Sequence, residues 1–314
     1  MERELELAYD PRERRQQSAA VAEAGPAPSK TKALWLALAL VALGLGDCAR
    51  VVLGAELAPR ESDWKAASDA LRKGFHTGDL IVAAPHWSDP IVRLRFGDLI
   101  PLDAATRADA DRYATVWEVS TRGATAPEAG PPAHCTTVHD GRVRVRRCDK
   151  PAARVRFDFG EQLLHDARAA VVHRGNEQPC EYQGGRLSCP GTSVGSIIGE
   201  IAYEPHRCVL APPPAIPGDV LRIEWNEVLL GRALVGYAGI HSFYARKAAA
   251  GPVDVRVIVA GHEVARVTHH NTDGWQRFEA PTSDYDGKRA TVRLEISSPQ
   301  PLERKLCFAL EARD

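Results

Sequence analysis

Apolar residues follow three different patterns along this chain. From Ala33 to Gly46 they run unbroken (ALWLALALVALGLG). Asp47 and Arg50 interrupt the run, and Val51 to Ala55 resume it. Between 61 and 122 the pattern switches between helical and strand periods. Ser62 or Asp63 is placed to cap a helix through Lys73, with Trp64, Ala67, Ala70 and Leu71 on one face and Gly74 ending it. Leu80 to Ala84 is a short continuous apolar run after Gly78-Asp79, the mark of a buried strand, and Pro85 stops it. Asp103 to Tyr113 predicts a second helix and Thr115 to Ser120 a second strand. That strand, helix, strand order predicts a parallel pair. From Ala153 onward the period is 2. Val155, Phe157 and Phe159 alternate with charged residues. Val220 to Trp225, Val253 to Ala260, Glu263 to Thr268, Ala290 to Ile296 and Leu306 to Leu310 continue the pattern. Gly261-His262 between two of these runs is a tight-hairpin signal. Several short strands at such spacing predict a sandwich.

The unbroken run admits three readings: a cleaved signal peptide, an uncleaved signal anchor, or a buried helix. The clean part is short against the ~20 apolar residues of a spanning helix. Lys30 and Lys32 precede it like an n-region, but the polar leader over 1–32 is long for a cleaved signal. That leader reads as a disordered tail. The uncleaved anchor over 33–55 is therefore favoured, and Arg12, Arg14, Arg15, Lys30 and Lys32 put the tail in the cytoplasm. Cys48 invites a lipoprotein reading, which Asp47 opposes by standing where a small residue is needed.

Cysteines sharpen the picture of the chain beyond that run. Six of the seven lie C-terminal to it. Cys135 and Cys148 bracket Asp140-Gly141, and Cys180 and Cys189 bracket Gly184-Gly185. A glycine-containing turn brings such pairs within bridging range. Cys208 and Cys307 remain, and a bond between them would close a long loop, with stabilisation of roughly 4 kcal/mol on the entropic account. Six cysteines allow 15 pairings, so this set is an expectation. Disulfides persist in oxidising compartments, which predicts a single-pass inner-membrane protein with its C-terminal parts in the periplasm.

The net charge of −1 over 314 residues excludes a global field for nucleic acid. Thr121 to Ala133 is rich in Pro, Gly and Ala and reads as a linker, giving the segments 61–122, 123–134 and 135–314. Arg142, Arg144 and Arg146 alternate with valines, a basic stripe that reads first as a solvated strand face and second as a contact for an anionic glycan.

Two loops carry candidate ligand-binding chemistry. His86, Trp87 and Asp89 come after the first strand, where α/β sheets place ligands. Turn-forming and packing roles are the plainer reading. His269, His270 and Asp273 precede a later strand, but adjacent histidines without spaced partners make no metal site. The chain has no HExxH, P-loop or GxSxG motif, so no catalytic residue, metal or cofactor is assigned.

Two resemblances accompany these residues. Asp63-Trp64, Gly78 to Val82, Pro85 and Tyr113 to Val119 resemble the soluble α/β segment of polytopic bacterial dolichyl-phosphate-mannose-protein mannosyltransferase-like enzymes. The resemblance spans about a fifth of the chain and brings no catalytic residue with it. It implies a link to envelope glycan assembly. Thr272 to Phe278, Tyr285-Asp286-Gly287 and Ala290 to Ile296 resemble a galactose-binding-like jelly roll, in which Trp275 reads as a core residue before a stacking platform.

The expected fold is α+β: one N-terminal membrane helix, a small α/β segment, then a disulfide-bonded antiparallel β-sandwich of jelly-roll type. The expected function is that of a noncatalytic, membrane-anchored envelope protein with a carbohydrate-binding-like sandwich, partnered by an envelope glycan or a membrane glycosyltransferase. An accessory or degenerate component of a polyprenyl-phosphate-sugar transferase system, and a hydrolase with its site near Pro85 to Asp89, are the competing readings.

Overall fold

The computed structural model describes residues 30–56, 58–246 and 251–314. The tail expected over 1–32 falls, up to residue 29, outside them. The chain divides into a unit ending at Ala58 and a second from Pro59 to Asp314. The first carries helix α1 (Lys30–Glu56). Leu34, Trp35, Leu36, Leu38, Leu40, Val41, Leu43 and Leu45 on it are each more than half exposed. Among the described residues no helix is long and apolar enough to cross a membrane. The span expected over 33–55 is therefore present as a helix only.

The second unit opens with α2 (Glu61–Gly74) and β1 (Leu80–Ala84). Asp63 accepts from the Arg60 N–H at 2.8 Å, closing the first turn of α2. Trp64, Ala67 and Leu71 form its buried face, as the spacing predicts. A Cβ on Gly74 would meet the Trp117 ring at 2.9 Å, so a glycine stands there. After β1 come α3 (Asp89–Phe96), the single turn α4 (Leu102–Ala105) and β2 (Thr115–Thr121). Next are β3 (Cys135–His139) and β4 (Val143–Asp149). These strands form one sheet in the order β1-β2-β4-β3, with β1 and β2 parallel and the other pairs antiparallel.

Several expectations are corrected here. The Cys135–Cys148 hairpin, grouped by sequence with the sandwich at 135–314, pairs with β2 and completes the α/β sheet. The segment 123–134 is no free linker. Its Ala126 and Ala129 are buried over the sheet, and the Ala126 N–H donates to Glu118 at 2.7 Å. The helix expected over Asp103 to Tyr113 stops after one turn. Nor is the arginine stripe of β4 a solvated face. Arg146 is buried against Glu118, and Arg144 donates to the Ala124 carbonyl at 3.0 Å.

The remaining strands build the sandwich. They are β5 (Val155–Asp158), β6 (Ala167–His173), β7 (Asn176–Pro179), β8 (Glu181–Gln183) and β9 (Arg186–Cys189). Next are β10 (Thr192–Ile201), β11 (Glu204–Leu210), β12 (Val220–Leu229) and β13 (Ala233–Ile240). β14 (Val253–Val259), β15 (His262–His269), β16 (Gln276–Pro281), β17 (Arg289–Ser297) and β18 (Leu306–Arg313) complete it. One sheet runs β16-β13-β18-β11-β10-β9-β8, with β5 added beside β18, and the other β15-β14-β17-β12-β6-β7. From β15 to β18 successive strands alternate between sheets, a jelly-roll-like path. Trp225 sits at the centre of the core, edge-on to Phe159 at 5.1 Å and to Phe308 at 6.5 Å. The hairpin turn between β14 and β15 falls one residue early. Ala260 and Gly261 both take positive φ (49° and 85°), the backbone of a type I′ turn.

All three expected disulfides are formed, Cys135–Cys148, Cys180–Cys189 and Cys208–Cys307. The last ties β11 to β18 across 99 residues of chain. Cys48 is free and exposed.

Glu118 and Arg146 make a fully buried two-point pair at 2.9 and 2.7 Å. Glu118→Ala strands the guanidinium and is expected to cost about 3–5 kcal/mol in urea unfolding. Glu118→Leu with Arg146→Met removes both charges and should recover all but ~1 kcal/mol, the remainder coming from an unpaired Ala126 N–H. Equal losses for the single and the double replacement would contradict this account.

Candidate functional site

The stretch from Thr106 to Arg112 has almost no regular structure, yet every part of it is bonded to the sandwich. Its carbonyls accept in succession. Thr106 takes the Arg207 N–H at 2.6 Å, Arg107 takes His206 Nδ1 at 3.0 Å, and Ala108 takes the Trp275 indole N–H at 3.1 Å. Its carboxylates and guanidinium then meet the outer face of β13 and β18. Asp109 accepts from the Tyr237 hydroxyl at 2.7 Å and pairs with Arg313 at 2.9 Å. Arg112 bridges Glu311 and Asp158. Backbone carbonyls that accept from the sandwich stand here in place of helical hydrogen bonds, which is why the predicted helix fails.

Electrostatics reflect these contacts. Burial opposes ionisation of Asp109, but Arg313 and the Tyr237 hydroxyl outweigh it and hold its carboxyl below the usual range. Burial, and then the Asp109 charge, push the Tyr237 phenol up. Burial works against the charge on Arg112 and Arg313, and contact with Glu311 reverses that for both.

Where this stretch crosses the end of β1 it leaves a cleft of about 330 Å³. Val82 and Ala83 form one wall, and His86, Asp89 and Arg93 come from the turn and helix after a cis Ala84–Pro85 peptide. The sandwich contributes Glu204, His206 and Trp275. His86 Nε2 lies 2.8 Å from Glu204 and Arg93 Nε lies 2.5 Å from Asp89, so a histidine–carboxylate contact and an ion pair stand on the cleft lining. Trp275 is half-buried, with its ring parallel to His206 at 4.6 Å and to Tyr237 at 5.6 Å. Gly239 makes room for it, since a Cβ there would meet the indole at 2.9 Å.

Of the residues singled out by sequence, His86 and Asp89 therefore come together in one cleft. Trp87 does not line it. It is 60% exposed, with the Arg122 guanidinium 5.7 Å above its ring. His269, His270 and Asp273 do not form a ligand set. Asp273 accepts from the His270 N–H at 2.7 Å and closes the turn, while His269 is fully buried and bonds the Gly274 carbonyl at 3.0 Å. Those bonds and the neighbouring histidines keep the Asp273 carboxyl below its usual range. Among the described residues no cluster of His, Cys, Asp or Glu is arranged to hold a metal ion. Glu204 and His206 carry no local signal of their place here, because their partners His86 and Arg107 are distant in sequence, whereas Arg93 follows Asp89 at the i,i+4 helical spacing. Trp275, read as a core residue, stands at the edge between core and cleft.

No protein-family model matches the chain, and no curated protein does. The mannosyltransferase-like resemblance of 61–122 accordingly finds no support from them. Solved structures with a detectable likeness include CBM51 from Clostridium perfringens GH95 in complex with methyl-galactose, at 8% identity over 38% of this chain and 77% of that one, with a TM-score of 0.26. TmCBM61 in complex with beta-1,4-galactotriose matches at 11% identity over 51% of this chain and 96% of that one, TM-score 0.31. The CBM22-1 xylan-binding domain from Paenibacillus barcinonensis Xyn10C matches at 16% identity over 46% and 89%, TM-score 0.26. Scores this low leave the sandwich to be argued from its own strand order, and they assign no ligand.

Burial holds the pKa of His206 and of His269 below that of an ordinary histidine, against the pull of the carbonyls they bond. The unfolded chain therefore binds more protons than the folded one once pH drops below about 6.5. Stability is full above that value and declines as pH falls through it. Thermal melts of the full chain should show Tm falling between pH ~7 and pH ~5, with a shallower slope in His269→Gln whatever its absolute Tm. A Tm independent of pH across that window would contradict the burial of both rings.

Proposed function

We propose that this is a noncatalytic envelope protein that binds a glycan in the cleft between the α/β sheet and the sandwich. The observation that carries the reading is the composition of that cleft. The His86–Glu204 contact and the Asp89–Arg93 ion pair set acceptors beside donors, and the Trp275 indole stands with them. Sugar rings present adjacent hydroxyls, which pair with such charged planar groups, and C–H faces, which suit an aromatic side chain. A cleft with an apolar element and a few convergent polar groups is the usual form of a small-ligand site. The jelly-roll-like path of the sandwich supports the same reading at the level of fold.

In this proposal α1 anchors the protein. Eight large apolar side chains from Leu34 to Leu45 are each more than half exposed, a surface that calls for an apolar surrounding such as a bilayer. The three disulfides favour the periplasmic side for the rest of the chain. A role beside an envelope glycan-assembly enzyme completes the reading.

A hydrolase reading has one observation in its favour: the carboxylates of Asp89, Glu128 and Glu204 line the same cleft. Both readings meet in one experiment. The full chain in detergent is applied to a glycan array, and bound glycans are then incubated with it and examined for cleavage. Binding without turnover, weakened about tenfold (~1.4 kcal/mol) by Trp275→Ala or Asp89→Ala, is the expected result. An empty array with folded protein would remove the glycan reading, and turnover lost in Glu204→Gln would replace it with the hydrolase.

A further inference from the structure

Arg304, in the loop before β18, has 1% of its surface exposed. It lines a second cleft, of about 210 Å³, where the 191–193 and 212–215 segments meet the 301–305 loop. Its Nη1 donates to Asn271 Oδ1. Its Nε and Nη2 are buried and have no hydrogen-bond partner among the described residues. Those two nitrogens share one edge of the guanidinium plane. Their N–H bonds on that edge point the same way, spaced for the two oxygens of a carboxylate.

The same edge is filled in the other buried arginines, Arg146 and Arg313, and in the more exposed Arg112. Arg146 gives Nε and Nη2 to the two oxygens of Glu118. Arg313 gives Nε to Glu311 and Nη2 to Asp109. Arg112 gives them to Glu311 and Asp158. Arg95 and Arg222 also hold an unpaired buried Nε, but both of their Nη groups reach carboxylates. Burial pushes the Arg304 guanidinium down, whereas contact carboxylates push Arg112 and Arg313 up. Among the described residues the fold thus keeps one guanidinium out of water with both donors of that edge unanswered.

The rest of the cleft is consistent with an anionic guest. Glu303 and Lys305 line it with one charge of each sign, so the formal charge of the lining sums to a single positive unit. The Thr192 hydroxyl donates to the Pro212 carbonyl at 2.7 Å, which leaves its oxygen free to accept. Phosphate or sulfate would bring further negative charge to a lining whose formal sum is a single positive unit.

We propose that this cleft binds the carboxylate of an acidic sugar, with both oxygens on the Nε–Nη2 edge of Arg304. The sugar rests on the glycan reading above; the selection of a carboxylate rests on Arg304 alone.

The test is calorimetric titration of the full chain with a short oligogalacturonate, its methyl ester, the neutral oligogalactose and inorganic phosphate. The acid should bind at least ~10-fold more tightly than its ester, and phosphate should not compete. Arg304→Lys keeps a charge and the stem but loses the two-point edge, so it should abolish the preference. Trp275→Ala, in the other cleft, should leave it intact. Equal binding of acid and ester, no binding of the acid, or effective competition by phosphate overturns the proposal. So does a folded Arg304→Lys protein that retains the preference. If Arg304→Lys does not fold, the acid and ester titrations of the unaltered protein still decide. Neutral glycan binding lost in Trp275→Ala, without any acid preference, would leave the junction reading standing and this one fallen. An acid preference with no neutral binding would do the reverse.

Discussion

The docking of Thr106 to Arg112 onto the sandwich is the constraint on which the site depends. Seven residues with almost no helix or strand have their polar groups satisfied by β5, β11, β13 and β18 and by Trp275. An irregular segment can be buried only if its amides and carbonyls find partners, and here carbonyls of the segment find them in a backbone N–H and two side chains of a different layer. The junction cleft exists because this segment sets the distance between the end of β1 and the Trp275 edge. Moving it would separate His86 and Asp89 from Glu204 and His206.

That docking also explains the charge pattern of the sandwich. Glu311 and Arg313 on β18 stand on the outer face, where a solitary sandwich would meet water. Both are under 6% exposed and paired with Asp109, Asp111 and Arg112. Buried charges persist where each has a partner. Glu118 and Arg146 repeat the rule inside the α/β sheet. Arg304 departs from it, which gives its empty edge a meaning that an unpaired arginine on the surface would lack.

Much of the architecture was legible in the chain, and the failures share a cause. Local signals carried through: the α2 face, the β1 and β2 strands, the three disulfides and the alternating strands from Val220 onward. β13 (ALVGYAGI) escaped because it has no alternation. Its inner face meets the core and its outer face meets the docked segment, so seven of its eight residues are buried. The apparent linker over 123–134 and the apparent helix over 103–113 failed for the converse reason. Composition and period report what a segment would do alone, and both segments are shaped by layers distant in sequence. At the site, His86 and Asp89 were visible because a turn after a buried strand is a local feature. Glu204 and His206 were not, because their contacts come from tertiary neighbours, while Arg93 was missed although it stands four residues after Asp89.

The two clefts differ in how they treat charge, and this bears on what each can hold. In the junction cleft Asp89 is paired with Arg93 and Glu204 lies against the His86 ring, so a guest gains hydrogen bonds beside carboxylates that already have partners. Such a site suits a neutral polar ligand, whose hydroxyls both donate and accept. In the Arg304 cleft the protein leaves two guanidinium N–H groups without an acceptor, and a neutral hydroxyl facing them would answer only part of the charge. A carboxylate answers the charge and both donors at once. A glycan with neutral units and an acidic unit is therefore the single ligand class that would use both clefts for the chemistry each presents.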